Sequence, residues 1–251
     1  MRALLRAAFG HLTNYDGRLL STAKKLFLRP GQLARDHFEG RRAQHLDPFR
    51  IFVLSNLVAW FIIPHTTMYG YSFKAGQRLA VLSRFWMRIV ELRAGWAHVS
   101  VADFAARIDK VAPSENPVTV LCLVPFMTLG LWVALAGRGY RFVQHLVFTA
   151  HLYCIHLFCV LIYFAWLLRP LAKLFAAHAS TAALAPILLN NWGEHLAIAP
   201  ALGLYLYFGL QRAYLLAPEQ ASWRAALLAL WACTVTRMFF DVAWVLVLIW
   251  A

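Results

Sequence analysis

FVQHLVFTAHLYCIHLFCVLIYFAWLL, residues 142–168, decides the class of this chain: it holds no Asp, Glu, Lys or Arg. A helix needs about 20 mostly apolar residues to cross a bilayer. Val118–Ala136, Leu196–Leu210 (extendable through Gln211 to Leu216) and Trp223–Trp250 meet or approach that length. Ile51–Ile63 is shorter and stops at Pro64. It spans if Arg50 and the segment His65–Tyr69 lie among headgroups, and otherwise re-enters. The expected fold is all-α: a polytopic α-helical membrane protein with about five spanning helices and amphipathic interfacial helices. The spans are expected near 50–66, 118–136, 142–168, 196–216 and 223–250. Residues 49–251 form the membrane domain, with an interfacial loop at 67–116, and residues 1–48 form a basic juxtamembrane segment.

Composition agrees with that class. The chain is 251 residues long, 61% hydrophobic, with a mean hydropathy of +0.59. A formal charge of +13 raises nucleic acid as a partner. The charges cluster beside apolar runs instead, and no aromatic-interleaved groove or nucleic-acid motif accompanies them. Anionic lipid headgroups are the expected partner, because juxtamembrane Lys and Arg gain energy near a negative leaflet. The start, MRALLRAAFGHL, is interrupted by Arg6 and offers no small-residue cleavage site, so no removable signal peptide is expected. Cys122, Cys154, Cys159 and Cys233 all fall inside expected spans and form no CxxC pair. They are expected to pack as small apolar groups rather than as disulfides.

The basic segment reads as two helices. Gly17–Leu28 puts Leu19, Leu20, Ala23, Leu26 and Phe27 on one face, with Arg18, Lys24 and Lys25 opposite. Pro30-Gly31 stops it. Gln32–Phe38 follows and ends at Gly40, a C-terminal cap. Both are expected to lie in the membrane surface, with Arg29, Arg41, Arg42 and Arg50 in contact with headgroups. In the 65–116 stretch, Leu79, Leu82, Trp86, Ile89 and Val90 recur at helical spacing among arginines. Ser100-Val101-Ala102-Asp103 then fits a capping box. Leu171–Leu189 is a weaker apolar run assigned to the far interface. Counting Lys and Arg in the loops favours a cytoplasmic N-terminus, although the 65–116 loop is itself basic.

Polar groups inside lipid cost roughly 2.5–3.5 kcal/mol for a mid-helix Arg or Asp, so each needs a reason. Arg237 and Asp241 stand at i,i+4 and can neutralise each other. His145, His151 and His156 share the third span. At about 100° per residue, His145 and His156 lie within about 20° of one face but roughly 16 Å apart, while His151 points about 120° away. One metal ion cannot take both members of either pairing, so no metal and no cofactor is expected. Histidines bonding across the bundle are the plain alternative, with Tyr205 or Tyr207 as partner for His151. In a five-span arrangement His151, His156, Arg237 and Asp241 come to similar depth, with Ser55, Asn56, Thr128, Tyr205 and Tyr207 near them. A shared polar interior is thereby allowed.

Several of these pieces resemble one family. Phe27-Leu28-Arg29-Pro30-Gly31, then Gly40-Arg41-Arg42 and Asp47-Pro48-Phe49-Arg50, resembles the opening of the bacterial membrane family known as domain of unknown function 3667. Gln144-His145-Leu146-Val147-Phe148-Thr149-Ala150-His151 resembles its histidine-bearing span. Tyr205-Leu206-Tyr207 through Arg212-Ala213-Tyr214 resembles its tyrosine-rich span. The carried positions are Arg29, Pro30, Gly31, Gly40, Arg42, Pro48, His145 and His151. Many members begin with a cysteine-rich zinc ribbon; here no cysteine precedes Cys122, so zinc is not implied. His156, Arg237 and Asp241 lie outside the pattern. The resemblance implies a multi-pass protein of the bacterial inner membrane, and no activity comes with it.

Motifs for soluble chemistry are absent: no GxSxG, no glycine-rich phosphate loop and no HExxH. The leading expectation is a non-enzymatic transport, permeation or accessory component, with a homo-oligomer or protein partner left open. One alternative is a membrane-embedded enzyme acting on a lipid or isoprenoid phosphate, with His145 or His151 as acid or base and arginines holding phosphate. Against it, no close acidic pair for a divalent metal stands beside a span. A lipid-sensing or structural role is the third.

Overall fold

A computed structural model of the chain describes residues 17–41, 45–62, 83–111, 116–162, 174, 177 and 191–250. Every regular element among them is an α-helix. In chain order these are α1 (17–28), α2 (Gln32–Phe38), α3 (Pro48–Ile62), α4 (Ser83–Trp96) and α5 (Val101–Val111), then α6 (Asn116–Ala134), α7 (Phe142–Ile162), α8 (Asn191–Tyr214) and α9 (Pro218–Trp250). The all-α expectation holds. Among the described residues no helix is long and apolar enough to cross a membrane, so the five-span expectation is carried here only as far as the helical fold. Leu79, Leu82 and most of Leu171–Leu189 lie outside the described residues.

The chain divides into two compact units. The first comprises residues 1–55, 124–159 and 197–232; the second comprises 56–123, 160–196 and 233–251.

In the first unit α7 is the central post. Every residue from Val147 to Ile155 is buried, His151 and Thr149 included. A helix apolar on all faces needs cover on all faces, and here it has it. Buried in the same unit are Leu26 of α1, Leu33 and Ala34 of α2, Ile51 and Phe52 of α3, Met127 and Leu131 of α6, and Leu206, Leu210 and Tyr214 of α8. Buried hydroxyls are satisfied within their own helices. Ser55, Thr128 and Thr149 donate to the carbonyls four residues earlier, those of Ile51, Val124 and His145.

Two residues of α1 are buried in the fold, Thr22 and Leu26. Leu26 is 2% exposed and Thr22 is fully buried, whereas Leu20 is 74% exposed and Leu28 69%. The threonine can occupy a core position because its hydroxyl is used twice. It donates to the Arg18 carbonyl at 2.6 Å and accepts the Leu46 N–H at 3.1 Å. Leu20, Phe27 and Leu28 are left outside.

Helix ends follow local chemistry. Gly31 sits at φ 78°, which turns the chain from α1 into α2. At the other end of α2, Gly40 lies at φ 81°, with its N–H on the His37 carbonyl and that of Arg41 on the Asp36 carbonyl. That is a Schellman closure. Asp47 opens α3, its Oδ1 accepting the N–H of Phe49 at 3.0 Å and of Arg50 at 3.4 Å, with Pro48 in the first helical position. α3 thus starts before the apolar run, yet its 15 residues rise only about 22 Å, short of a hydrocarbon core of about 30 Å.

In the second unit, α4 and α5 pack on each other, with Val90, Ala94 and Phe104 buried. Ser100 caps α5 as expected: its Oγ accepts the Asp103 N–H at 3.1 Å and donates to the Asp103 carboxylate.

Candidate functional site

Asp36 faces inward from α2, on the same stripe as Leu33, and its side chain is 6% exposed. A buried carboxylate requires donors, and three converge on it, with an imidazole beside them. Lys25 Nζ donates to Oδ2 at 3.0 Å, Arg41 Nη2 to Oδ1 at 2.9 Å and Gln32 Nε2 to Oδ1 at 2.8 Å. His45 Nε2 lies 3.2 Å from Oδ2. Burial pushes the carboxyl up, but the hydrogen bonds from Arg41, Lys25 and Gln32 outweigh it and hold the pKa down at about 2. Arg41 also pairs with Glu39, as does Arg35.

His45 is neutral in this setting. Burial lowers its pKa first, the Lys25 ammonium lowers it further, and Asp36 opposes both. Lys25 Nζ stands 2.8 Å from His45 Nε2. An ammonium only donates, so Nε2 accepts, and the ring proton of the neutral imidazole rests on Nδ1. That nitrogen is buried without a hydrogen-bond partner.

Beside the Asp36 network lies a cavity of about 200 Å³ at the start of α3. Its polar lining is His37, Arg41, His45, Asp47, Arg50 and His151, with Leu33, Leu46 and Pro48 as its apolar wall. Asp47 is engaged in capping α3. No hydroxyl or thiol side chain lines the cavity. It can therefore receive an anion through guanidinium and imidazole groups. A second space, of about 540 Å³, shares His37 and is bordered by Arg141 and Gln144.

The expected site residues have different surroundings among the described residues. His151 reaches the cavity from α7. Neither Tyr205 nor Tyr207 lines that cavity. The paired histidine is His145, whose Nδ1 lies 3.0 Å from the Tyr214 hydroxyl with the rings stacked at 5.4 Å. Tyr140 and Phe38 pack on the same tyrosine ring. His156 lies farther along α7, edge-on to Tyr153. Arg237 and Asp241 belong to α9, but their side chains lie outside the described residues, and both fall in the second unit. Arg50 lines the cavity, Arg41 is drawn into the Asp36 network, Arg29 is exposed, and Arg42 lies outside the described residues. Among the described residues no group of three or more His, Cys, Asp or Glu is arranged to hold a metal ion.

Except for His151, every residue lining the smaller cavity comes from positions 33–50. A family model described as "Protein of unknown function (DUF3667)" matches residues 16–60. The matched segment is thus the one that builds α1, α2, the Asp36 network and the cavity wall, in agreement with the resemblance seen in the sequence. No curated protein and no solved structure matches the chain.

Sequence reading missed Asp36, Lys25, His37 and His45. One signal was present: Asp36 stands three residues after Leu33, on the apolar stripe of a short amphipathic helix. A carboxylate there needs a cation from elsewhere.

Proposed function

We propose that this protein is a multi-pass helical protein of the bacterial inner membrane with a non-enzymatic role, as a transport, permeation or accessory component. The observation that carries this reading is the outer face of the first unit. On α6 the exposed side chains from Pro125 to Val133 are Pro125, Phe126, Leu129, Trp132 and Val133, with no charge among them. Leu204 and Phe208 on α8, and Trp223, Leu227 and Leu230 on α9, are exposed as well. Soluble monomers rarely leave apolar patches of more than a few hundred Å² uncovered, whereas lipid covers them without cost. The apolar run that begins in α7 continues in sequence to Leu168, beyond the described residues.

On this reading the N-terminal segment is cytoplasmic and meets anionic headgroups. Exposed Leu20, Phe27 and Leu28 lie among Arg18, Lys24 and Arg29, the pattern of a surface-seeking helix.

Leu129→Lys tests the reading. At a water-facing position this exchange is nearly neutral, within about 0.5 kcal/mol. In lipid it costs roughly 2.5–3.5 kcal/mol and should lower the amount of protein that resists alkaline extraction from membranes. An extraction-resistant variant of undiminished abundance would defeat the membrane reading. For orientation, a Ser21→Cys variant should resist an impermeant thiol reagent in intact cells and react after lysis.

A further inference from the structure

Two residues lining the cavity at the start of α3 carry a buried imidazole nitrogen with no well-aligned hydrogen-bond partner: Nδ1 of His45 and Nδ1 of His151, the ring of the latter also interacting with the Val147 backbone. Their exposures are 7% for the His45 side chain and 4% for His151. An orphaned buried polar atom is uncommon in a native fold and requires a cause. These two come from distant parts of the chain, one from the loop before α3 and one from the central helix α7, and they meet at one small space. With Nε2 of His45 taken by Lys25, its ring N–H is on the unpartnered Nδ1.

The charge around the space has one sign in excess. Arg41 and Arg50 line it, and among the described residues no ion pair involves Arg50. Asp47, the one lining carboxylate, already accepts from two backbone N–H groups. The N-terminal turn of α3 adds a partial positive charge to the same place. Guanidinium forks and imidazole N–H groups match a tetrahedral oxyanion, whose several oxygens each accept more than one bond. The volume suits a headgroup-sized fragment and is below that of a pocket for a drug-sized ligand.

We propose that this cavity binds a phosphate group, free or as the monoester headgroup of a lipid, through Arg50, Arg41 and the Nδ1 positions of His45 and His151. The site is built from one unit of the chain and goes beyond the membrane assignment, since binding of free phosphate does not require it.

The experiment uses the full chain purified in detergent, with two probes in separate arms: inorganic phosphate by equilibrium dialysis, and vesicles of phosphatidylcholine with or without phosphatidic acid. Saturable binding of about one phosphate group per chain is expected in at least one arm. Arg50→Ala, at an exposed position, and His151→Leu should each weaken it by about tenfold or more. His151→Asn, whose amide nitrogen stands near the place of Nδ1, should restore binding to within a few fold of the natural protein, which separates a lost donor from a damaged fold. Binding in the inorganic arm identifies free phosphate as sufficient; binding confined to phosphatidic acid identifies the lipid headgroup. No saturable binding in either arm, binding indifferent to Arg50→Ala, or loss in His151→Leu that His151→Asn does not restore, would each overturn the proposal. A protein that binds inorganic phosphate but fails the Leu129→Lys test retains the site and loses the membrane reading.

Discussion

Arg212 reaches across 182 positions of sequence to donate from Nη1 to the carbonyl oxygen of Pro30 at 2.9 Å. The turn between α1 and α2 is thereby tied to the last turn of α8. The next residue shows how close the two backbones come: a Cβ placed on Gly31 would stand 2.9 Å from the Gly209 Cα and nearer still to its carbonyl oxygen. The Arg-Pro-Gly turn and the Tyr-rich helix with its Arg212 are therefore two halves of one contact. The carbonyl that Pro30 presents is met by the arginine, and the space that Gly31 leaves is filled by the backbone of α8.

Gly31→Ala should destabilise the first unit more than Gly40→Ala does. Both glycines have positive φ, so both variants suffer the left-handed penalty of about 1–2 kcal/mol. Only at Gly31 does the new methyl meet another backbone, whereas Gly40 has open space around it. Overpacking adds roughly 1–3 kcal/mol. Thermal unfolding followed by tryptophan fluorescence should place Gly31→Ala well below Gly40→Ala, and equal midpoints would refute the close approach.

Tyr214→Phe should cost about 1–3 kcal/mol, because it strands the buried Nδ1 of His145. His145→Phe alone leaves the tyrosine hydroxyl in the same difficulty. The double variant should recover part of both losses, giving a coupling of about 1 kcal/mol in a mutant cycle. Strict additivity would show that the 3.0 Å contact contributes nothing.

What was legible in the sequence is what depends on a few adjacent residues. Pro30-Gly31, Gly40 and Ser100 with Asp103 mark helix ends through local dihedrals and local hydrogen bonds. Helix type was legible along 142–162, since no other element suits so long an apolar run. The buried face of α1 was not, because Thr22 reads as polar until its hydroxyl is seen bonded at both ends. Nor was the pairing of His145 with Tyr214. That pairing depends on the register of α7 against α8, where Gly209 packs on Phe148 and Gly31 packs on Gly209. The cavity was half legible: Arg41, Arg50 and His151 stood out as costly or basic residues, while Lys25, Asp36 and His45 join only once the chain has turned twice.

The Asp36 network predicts how the fold responds to acid. The folded pKa of Asp36 is about 2, below its ordinary 3.8, so the folded state prefers the carboxylate. Its contribution, about 2 kcal/mol, is fully present above about pH 4 and is lost as pH falls toward 2. His45 acts earlier. Its folded pKa lies below the ordinary 6.5, so the unfolded chain takes up that proton first and stability declines as pH drops below about 6.5. Asp36→Asn should therefore be less stable than the natural protein at about pH 5, with the gap closing by about pH 2. His45→Asn should flatten the decline that sets in below about pH 6.5 and leave the Asp36 step in place. Denaturant midpoints across that range, compared pairwise with the natural protein, isolate each group from the other carboxylates and histidines. A constant gap for Asp36→Asn from pH 5 to 2 would mean that its carboxylate titrates like an exposed one, and that the bonds from Arg41, Lys25 and Gln32 do not hold it.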